Sequence, residues 1–261
     1  IMERPFNYLS MTPKNMMYRF NWNAPIIWSA HEPNTFYHGG NVLFKTNDYG
    51  KNWSVASPDL SRHDTTKMGL SGVPYTNEGA GGENYGTILY VKESPQEPGV
   101  IWVGSDDGLV HVTRDNCKTW TNVTPVGLQE CMINCIEISP HDPATIYLAT
   151  TRYKFNDFTP ALYKSANGGQ TWEQINQGIP YGAFTRVIRE DTERKGLLFA
   201  GTETGLYSSY DGGKHWLAFQ LNLPVTPITD LKVHRGDLIA ATAGRSFWIF
   251  DDLHLLRQLP A

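Results

Sequence analysis

No run of 18 or more apolar residues occurs in this 261-residue chain, so no helical membrane span is expected. Charge of one sign is also missing. Lys and Arg total 22 against 26 Asp and Glu, the net charge is −4, and the basic residues are scattered. A nucleic-acid partner is not expected from such a surface. The 8 histidines stand apart, with no metal-ligand spacing, so neither a metal nor another cofactor is expected. There are only three cysteines, Cys117, Cys131 and Cys135. On an extended strand Cys131 and Cys135 would lie about 13 Å apart, too far for a disulfide. A Cys117–Cys131 bridge remains open beside free thiols. Sustained helical periodicity is absent. The N-terminus has no basic segment followed by an apolar one, so no signal peptide is visible. Residue 1 is not Met, and the chain reads as a piece of a longer protein.

What is present favours short strands and tight turns: 12% aromatic residues, 24 Gly and 16 Pro. One pattern, Ser/Thr-x-Asp/Asn-x-Gly-x-x-Trp, recurs at 46–53 (TNDYGKNW), 113–120 (TRDNCKTW), 165–172 (SANGGQTW) and 209–216 (SYDGGKHW). Each copy follows a short apolar strand. A further strand ending in Gly or Ala comes before that: Gly39, Gly104, Ala149, Gly201 and, in a fifth copy, Ala241. A small residue there suits crowding by a neighbouring strand. Before that lies another strand, which ends in a Pro-rich turn in the first three units. Each unit reads as strand, turn, strand, loop, strand, Asp box, strand. Radial repetition of such units is a β-propeller.

The expected fold is therefore all-β, a propeller of about five four-stranded antiparallel blades near 25–60, 86–125, 133–178, 183–222 and 227–256. An arm at 1–24 precedes them, and a long insertion interrupts them at 57–84. The fifth unit has no box, and its missing outer strand would be supplied by 6–9 or 17–20.

In the boxes, Asp48, Asp115, Asn167 and Asp211 accept hydrogen bonds from turn amides. Gly provides a positive φ, and Cys117, in its place, must bear strain or change the turn. Trp53, Trp120, Trp172 and Trp216 are expected to anchor the core, each contributing about 1.5–3 kcal/mol on burial. The boxes are read as structural, not catalytic.

Alternating strands put the boxes at one end of each sheet and the long loops, 57–84 and 151–160, at the other. Binding concentrates on such loops. Glu83, Asp106, Asp107 and Glu203 are the candidates for a hydrolytic carboxylate pair, although Asp-Asp-Gly is also an ordinary turn sequence. Arg62, Tyr75, Tyr85, Arg152, Tyr153, Phe155, Phe158 and Arg245 are candidates for a binding face. The rings suit stacking on sugars or on peptide side chains. No nucleophile with a positioned base stands out.

The boxes resemble those of bacterial neuraminidases, xyloglucanases and sortilin-type propellers. A broader resemblance covers nearly the whole chain. It is to large bacterial secreted proteins labelled glycosyl hydrolase or sortilin N-terminal domain. It is carried by Arg19-Phe20-Asn21-Trp22-Asn23, Tyr85-Gly86-Thr87-Ile88, Val103-Gly104-Ser105-Asp106-Asp107-Gly108, Arg152-Tyr153-Lys154 with Asp157-Phe158, Leu223-Pro224-Val225-Thr226-Pro227 and Gly244-Arg245-Ser246-Phe247-Trp248-Ile249. Ala243 stands where that family carries His. The resemblance implies a secreted or periplasmic protein and no particular reaction, because fold does not fix function. The expected function is a non-catalytic propeller serving as a protein-binding scaffold or as a subunit of a larger assembly. The alternatives are a xyloglucanase-like glycoside hydrolase acting on a polysaccharide and a carbohydrate-binding propeller.

Overall fold

The computed structural model describes residues 12–69 and 84–260. Its strands form five antiparallel sheets taken in chain order. The first holds β1 (Ile26–Trp28), β2 (Phe36–Gly39), β3 (Leu43–Thr46) and β4 (Ser54–Val55). The second holds β5 (Ile88–Glu93), β6 (Ile101–Ser105), β7 (Val110–Thr113) and β8 (Thr121–Asn122). The third holds β9 (Met132–Ile138), β10 (Ile146–Arg152), β11 (Asp157–Ser165) and β12 (Glu173–Gln174). The fourth holds β13 (Thr185–Glu190), β14 (Leu198–Thr202), β15 (Leu206–Ser209) and β16 (Leu217–Ala218). The fifth has β17 (Ile228–His234), β18 (Asp237–Thr242) and β19 (Phe247–Phe250). These up-and-down sheets are the blades of a β-propeller, about five in this chain. The last blade shows the missing outer strand that the sequence suggested, and one feature that it did not. The fifth blade has three strands among the described residues, and a short helix, α1 (His254–Gln258), follows it.

The chain divides into two compact units between Ile133 and Asn134. In the first, Tyr37, Leu43, Leu60, Ile88, Val91, Ile101 and Val103 form one buried cluster, with Ile27, Cys117 and Trp120 packed against it. In the second, Leu148, Leu162, Ile188, Phe199, Ile228 and Leu231 are buried. The small residue ending the second strand has a visible cause. A Cβ on Gly39 would lie 2.9 Å from Ile88, and one on Gly201 would lie 2.6 Å from Ile228. Ile88 and Ile228 open the following blades, so a larger residue would push adjacent sheets apart.

All four box turns share one hydrogen-bond scheme. The Ser/Thr hydroxyl accepts from the amide four residues on: Thr46 from Gly50, Thr113 from Cys117, Ser165 from Gly169 and Ser209 from Gly213, at 2.9–3.0 Å. It donates to the Asp or Asn two residues on. That side chain in turn accepts from the amide of Asn52, Thr119, Thr171 or His215. Cys117 takes the strained option, with φ +69°. The indoles are less uniform than expected. Trp216 is buried, whereas Trp53, Trp120 and Trp172 are half-buried. Trp120 donates its indole N–H to Ala56 O of the preceding blade at 3.1 Å, and Trp216 likewise to Ile175 O.

None of the three cysteines forms a disulfide, and Cys131 and Cys135 are buried. Of the two proposed closing strands, 6–9 lies outside the described residues. Segment 17–20 lies on the first blade instead. Tyr18 and Phe20 pack on Phe44, and Arg19 O accepts from the Asn41 amide at 2.9 Å.

Candidate functional site

Within each blade the connection from the second to the third strand and the link to the next blade lie at the end opposite the box turn. In the first unit this loop end is built around charged groups that bond to the protein itself. The Arg19 guanidinium is 1% exposed. It donates to Asp59 Oδ2 at 2.8 Å, to Ser61 Oγ at 3.1 Å and to Gly86 O. Asp59 also accepts from Asn41 and Ser61, and His63 sits 3.1 Å from it. Burial pulls the Asp59 pKa up, but the bonds from Ser61, Asn41 and Arg19 outweigh it and hold the carboxyl at about 2.

Asp106 accepts from the Gly86 and Thr87 amides and the Thr87 hydroxyl, which clamps the loop after β6 to the start of β5. Asp107 is fully buried. It accepts from Ser105 Oγ at 2.5 Å and from the Arg62 amide at 2.7 Å, and the Arg62 Nε donates to its carbonyl. Burial raises its pKa, against the pull of the Ser105 bond. Tyr85 is buried beneath the Lys67 ammonium, 6.0 Å from the ring centre. Glu83 and Tyr75 lie outside the described residues.

The second unit presents a different surface. After a register shift in β10, Arg152 pairs with Asp157 at 3.1 Å and stacks over Phe155 at 4.9 Å. The intervening turn, Tyr153–Phe155, closes on Asn156, whose φ of +57° is tolerated by its short polar side chain. The link into the fourth blade folds back on this loop, with Gly182 N donating to Phe158 O at 3.0 Å. Tyr153 stacks on Phe184 with centroids 5.5 Å apart. Phe158 contacts Phe184 at 6.0 Å and Tyr181 edge-on at 6.3 Å. Phe184 is the buried base of the group; Tyr181 is 69% exposed, Phe155 37% and Tyr153 36%. Glu203, on the loop after β14, bonds its amide to Phe184 O and its carboxylate to Arg186 at 2.6 Å, while Arg186 lies 5.2 Å over the Phe184 ring. The result is an open aromatic platform flanked by two Arg–carboxylate pairs.

Sequence reasoning named Arg152, Tyr153, Phe155, Phe158 and Glu203, which converge here. It missed Tyr181, Phe184 and Arg186. Their signal was an aromatic pair beside Pro180 and Gly182 in a segment read only as a link. Arg245 is exposed on the loop before β19, apart from the platform rings, and its carbonyl accepts from the Trp248 indole at 2.8 Å. Among the described residues no group of His, Cys, Asp and Glu is arranged to hold a metal ion, and no helix is long and apolar enough to cross a membrane.

No family model matches the chain. A Neosartorya fischeri protein named a probable oligoxyloglucan-reducing end-specific xyloglucanase is 31% identical over 99 residues, which is 36% of this chain and 11% of that protein. Among solved structures, an ancestral GH74 enzyme is similar with a TM-score of 0.64 and 15% identity, over 89% of this chain and 28% of that one. The GH74 xyloglucanase of Xanthomonas campestris gives 0.60 and 17%, over 86% and 36%. The extracellular domain of a B. thetaiotaomicron hybrid two-component system protein gives 0.57 and 14%, over 86% and 26%. At these identities the likeness is one of fold, shared by GH74 enzymes and by the extracellular domain of a two-component system protein alike. The chain spans little more than a third of the longest-covered of these structures and about a tenth of the curated relative.

Proposed function

We propose that this chain is a non-catalytic, extracytoplasmic β-propeller that binds a protein partner on the platform of Tyr153, Phe155, Phe158 and Tyr181. One observation carries the reading. Among the described candidate acids, Asp106 and Asp107 are bonded to backbone amides and Glu203 to the Arg186 guanidinium, while Tyr153, Phe155 and Tyr181 are exposed. Asp106 and Asp107 act as clamps, and a fully buried Asp107 has no route to a substrate. Exposed Tyr and Phe over a rigid base, ringed by Arg, have the composition of a recognition surface.

A second reading, polysaccharide binding with or without hydrolysis, is favoured by the 31% match to the xyloglucanase. One experiment separates the two. The purified chain and its Tyr181→Ala and Tyr153→Ala variants are passed over a phage-displayed peptide library and over a glycan array containing xyloglucan oligosaccharides. Enriched peptides that bind either variant at least tenfold more weakly support the protein-binding reading. Glycan binding without peptide enrichment, or reducing-end release abolished by Glu203→Gln, overturns it.

A further inference from the structure

Among the described residues the fifth blade stops one strand short, and the other four show what its outer edge is shaped to hold. In each complete blade one third-strand residue, the first residue of β3, β7 and β15 and Leu162 within β11, accepts at its carbonyl the amide of the residue just after the fourth strand. Leu43 accepts from Ala56, Val110 from Val123, Leu162 from Ile175 and Leu206 from Phe219, all at 2.8–2.9 Å. In three blades the amide of that first residue donates to a side-chain oxygen one position further on: Ser57 Oγ at 2.7 Å, Thr124 Oγ1 at 2.9 Å and Gln220 Oε1 at 3.2 Å. The fourth-strand segments read Ser54-Val55-Ala56-Ser57, Thr121-Asn122-Val123-Thr124, Glu173-Gln174-Ile175-Asn176 and Leu217-Ala218-Phe219-Gln220. The third position is always apolar, and the fourth always carries a side-chain oxygen.

Phe247 holds the same place in the fifth blade. It pairs with Ala241 as Leu43 pairs with Gly39. The Thr242 amide bonds to Ser246 O, and hydrogen-bonded pairs alternate along an antiparallel ladder. The backbone groups of Phe247 and Ile249 therefore point away from β18, to the outer edge. Leu43, Val110, Leu162 and Leu206 are buried, whereas Phe247 is 77% exposed and Ile249 59%. Residues 251–260 lead away from this edge. Leu253 N bonds to Gly236 O at 2.7 Å. Arg257 then grips Asp191 with two bonds of 2.9 Å, and Arg194 caps Leu256 O at 2.8 Å, which fixes α1 on the turn between β13 and β14.

We propose that the outer edge of β19 is an acceptor for an extended segment of a partner protein, added antiparallel as a fourth strand. Main-chain bonds to Phe247 and Ile249 would hold it, as in other cases of strand addition. Its chemistry follows from the edge. An apolar residue lies beside Phe247, and a Ser, Thr, Asn or Gln comes next to take the Phe247 amide. The antiparallel direction brings its N-terminal end to Asp251 and Asp252 and its C-terminal end to Arg245, all three exposed. The segment therefore carries basic residues before the apolar position and acidic ones after it. This edge is separate from the aromatic platform and does not depend on it.

The test uses the whole chain and a dye-labelled peptide, Lys-Lys-Leu-Ala-Phe-Gln-Glu-Glu, followed by fluorescence polarisation. Saturable binding is expected. It should be at least tenfold weaker for the peptide with its lysines and glutamates exchanged and for the peptide N-methylated at Phe. Phe247→Lys and Asp251→Lys should weaken it similarly. Both residues are exposed, so the melting temperature should be retained, while Tyr181→Ala should bind the peptide as wild type does. Absence of binding, or binding indifferent to the N-methyl group and to Phe247→Lys, overturns the proposal. A concentration-dependent dimer in light scattering that Phe247→Lys dissolves, with no peptide bound, would assign the edge to a second copy and also overturn it.

Discussion

Asn167 makes the same bonds in its turn as Asp48, Asp115 and Asp211 make in theirs, so the turn needs an oxygen acceptor and not a charge. The charge matters for acid sensitivity. Burial opposes ionisation of Asp211, but the amide and ring of His215 and the Ser209 hydroxyl hold its pKa at about 2. A carboxylate with a depressed folded pKa stabilises above its unfolded value, near 4, and that contribution is lost as pH falls toward 2. Asp211→Asn is expected to fold normally, with a thermal stability at pH 7 within about 1 kcal/mol of wild type. Its melting temperature should fall less than that of wild type between pH 4 and pH 2. Gly201 shows the opposite sensitivity. A Cβ there meets both Ile228 and Val187 at 2.6 Å, so Gly201→Ala should cost about 1–3 kcal/mol in denaturant titrations. The boxes, including the strain at Cys117, were legible because they are local. The Arg19–Asp59 clamp was not, because its partners lie 40 residues apart in the chain.

Among the elements, strands and turns followed from apolar runs, small terminal residues and box spacing. The five-residue α1 is too short to show a periodicity, and what fixes it is tertiary. Arg257 meets Asp191, whose carboxyl also caps its own turn through the Glu193 and Arg194 amides. Asp191 holds in the fourth blade the place that Ser29, Ser94 and Ser139 hold in the first three, where the sequence showed only that the Pro-rich turn was gone. Removing the guanidinium leaves a fully buried carboxylate with two amides alone. Arg257→Ala should cost about 2 kcal/mol, read by chemical denaturation, and should raise amide exchange in α1 before it does so in β13. The platform was half legible for a related reason. Its 151–160 loop is long and aromatic, but Tyr181 and Phe184 reach it from a separate link and become neighbours only on folding.

At the scale of the molecule, depressed carboxylates outnumber raised ones among the described residues. Asp59 and Asp211 are held at about 2, as is Asp115 by the Thr119 hydroxyl and amide, whereas the buried Asp107 is pushed up. Asp107 favours the folded state more at low pH, and the other three favour it more above pH 4. The sum predicts a chain that keeps its stability down to about pH 4 and loses it steeply between 4 and 2. Circular dichroism melts across that range would check this, and a flat profile would contradict it. The fold was readable from one sequence because a repeat presents the same evidence several times. The ligand was not, because recognition rests on side chains that occur once.

The indole bonds of Trp120 and Trp216 all run one way, from a box to the outer strand of the blade before it. This bears on how such a chain could have grown. A unit copied by gene duplication and inserted after its parent arrives already carrying the clasp to its predecessor, in its own box. No compensating change in the older blade is required, since the acceptor is a main-chain carbonyl that any residue supplies. Lengthening at that end is therefore tolerated from the first generation.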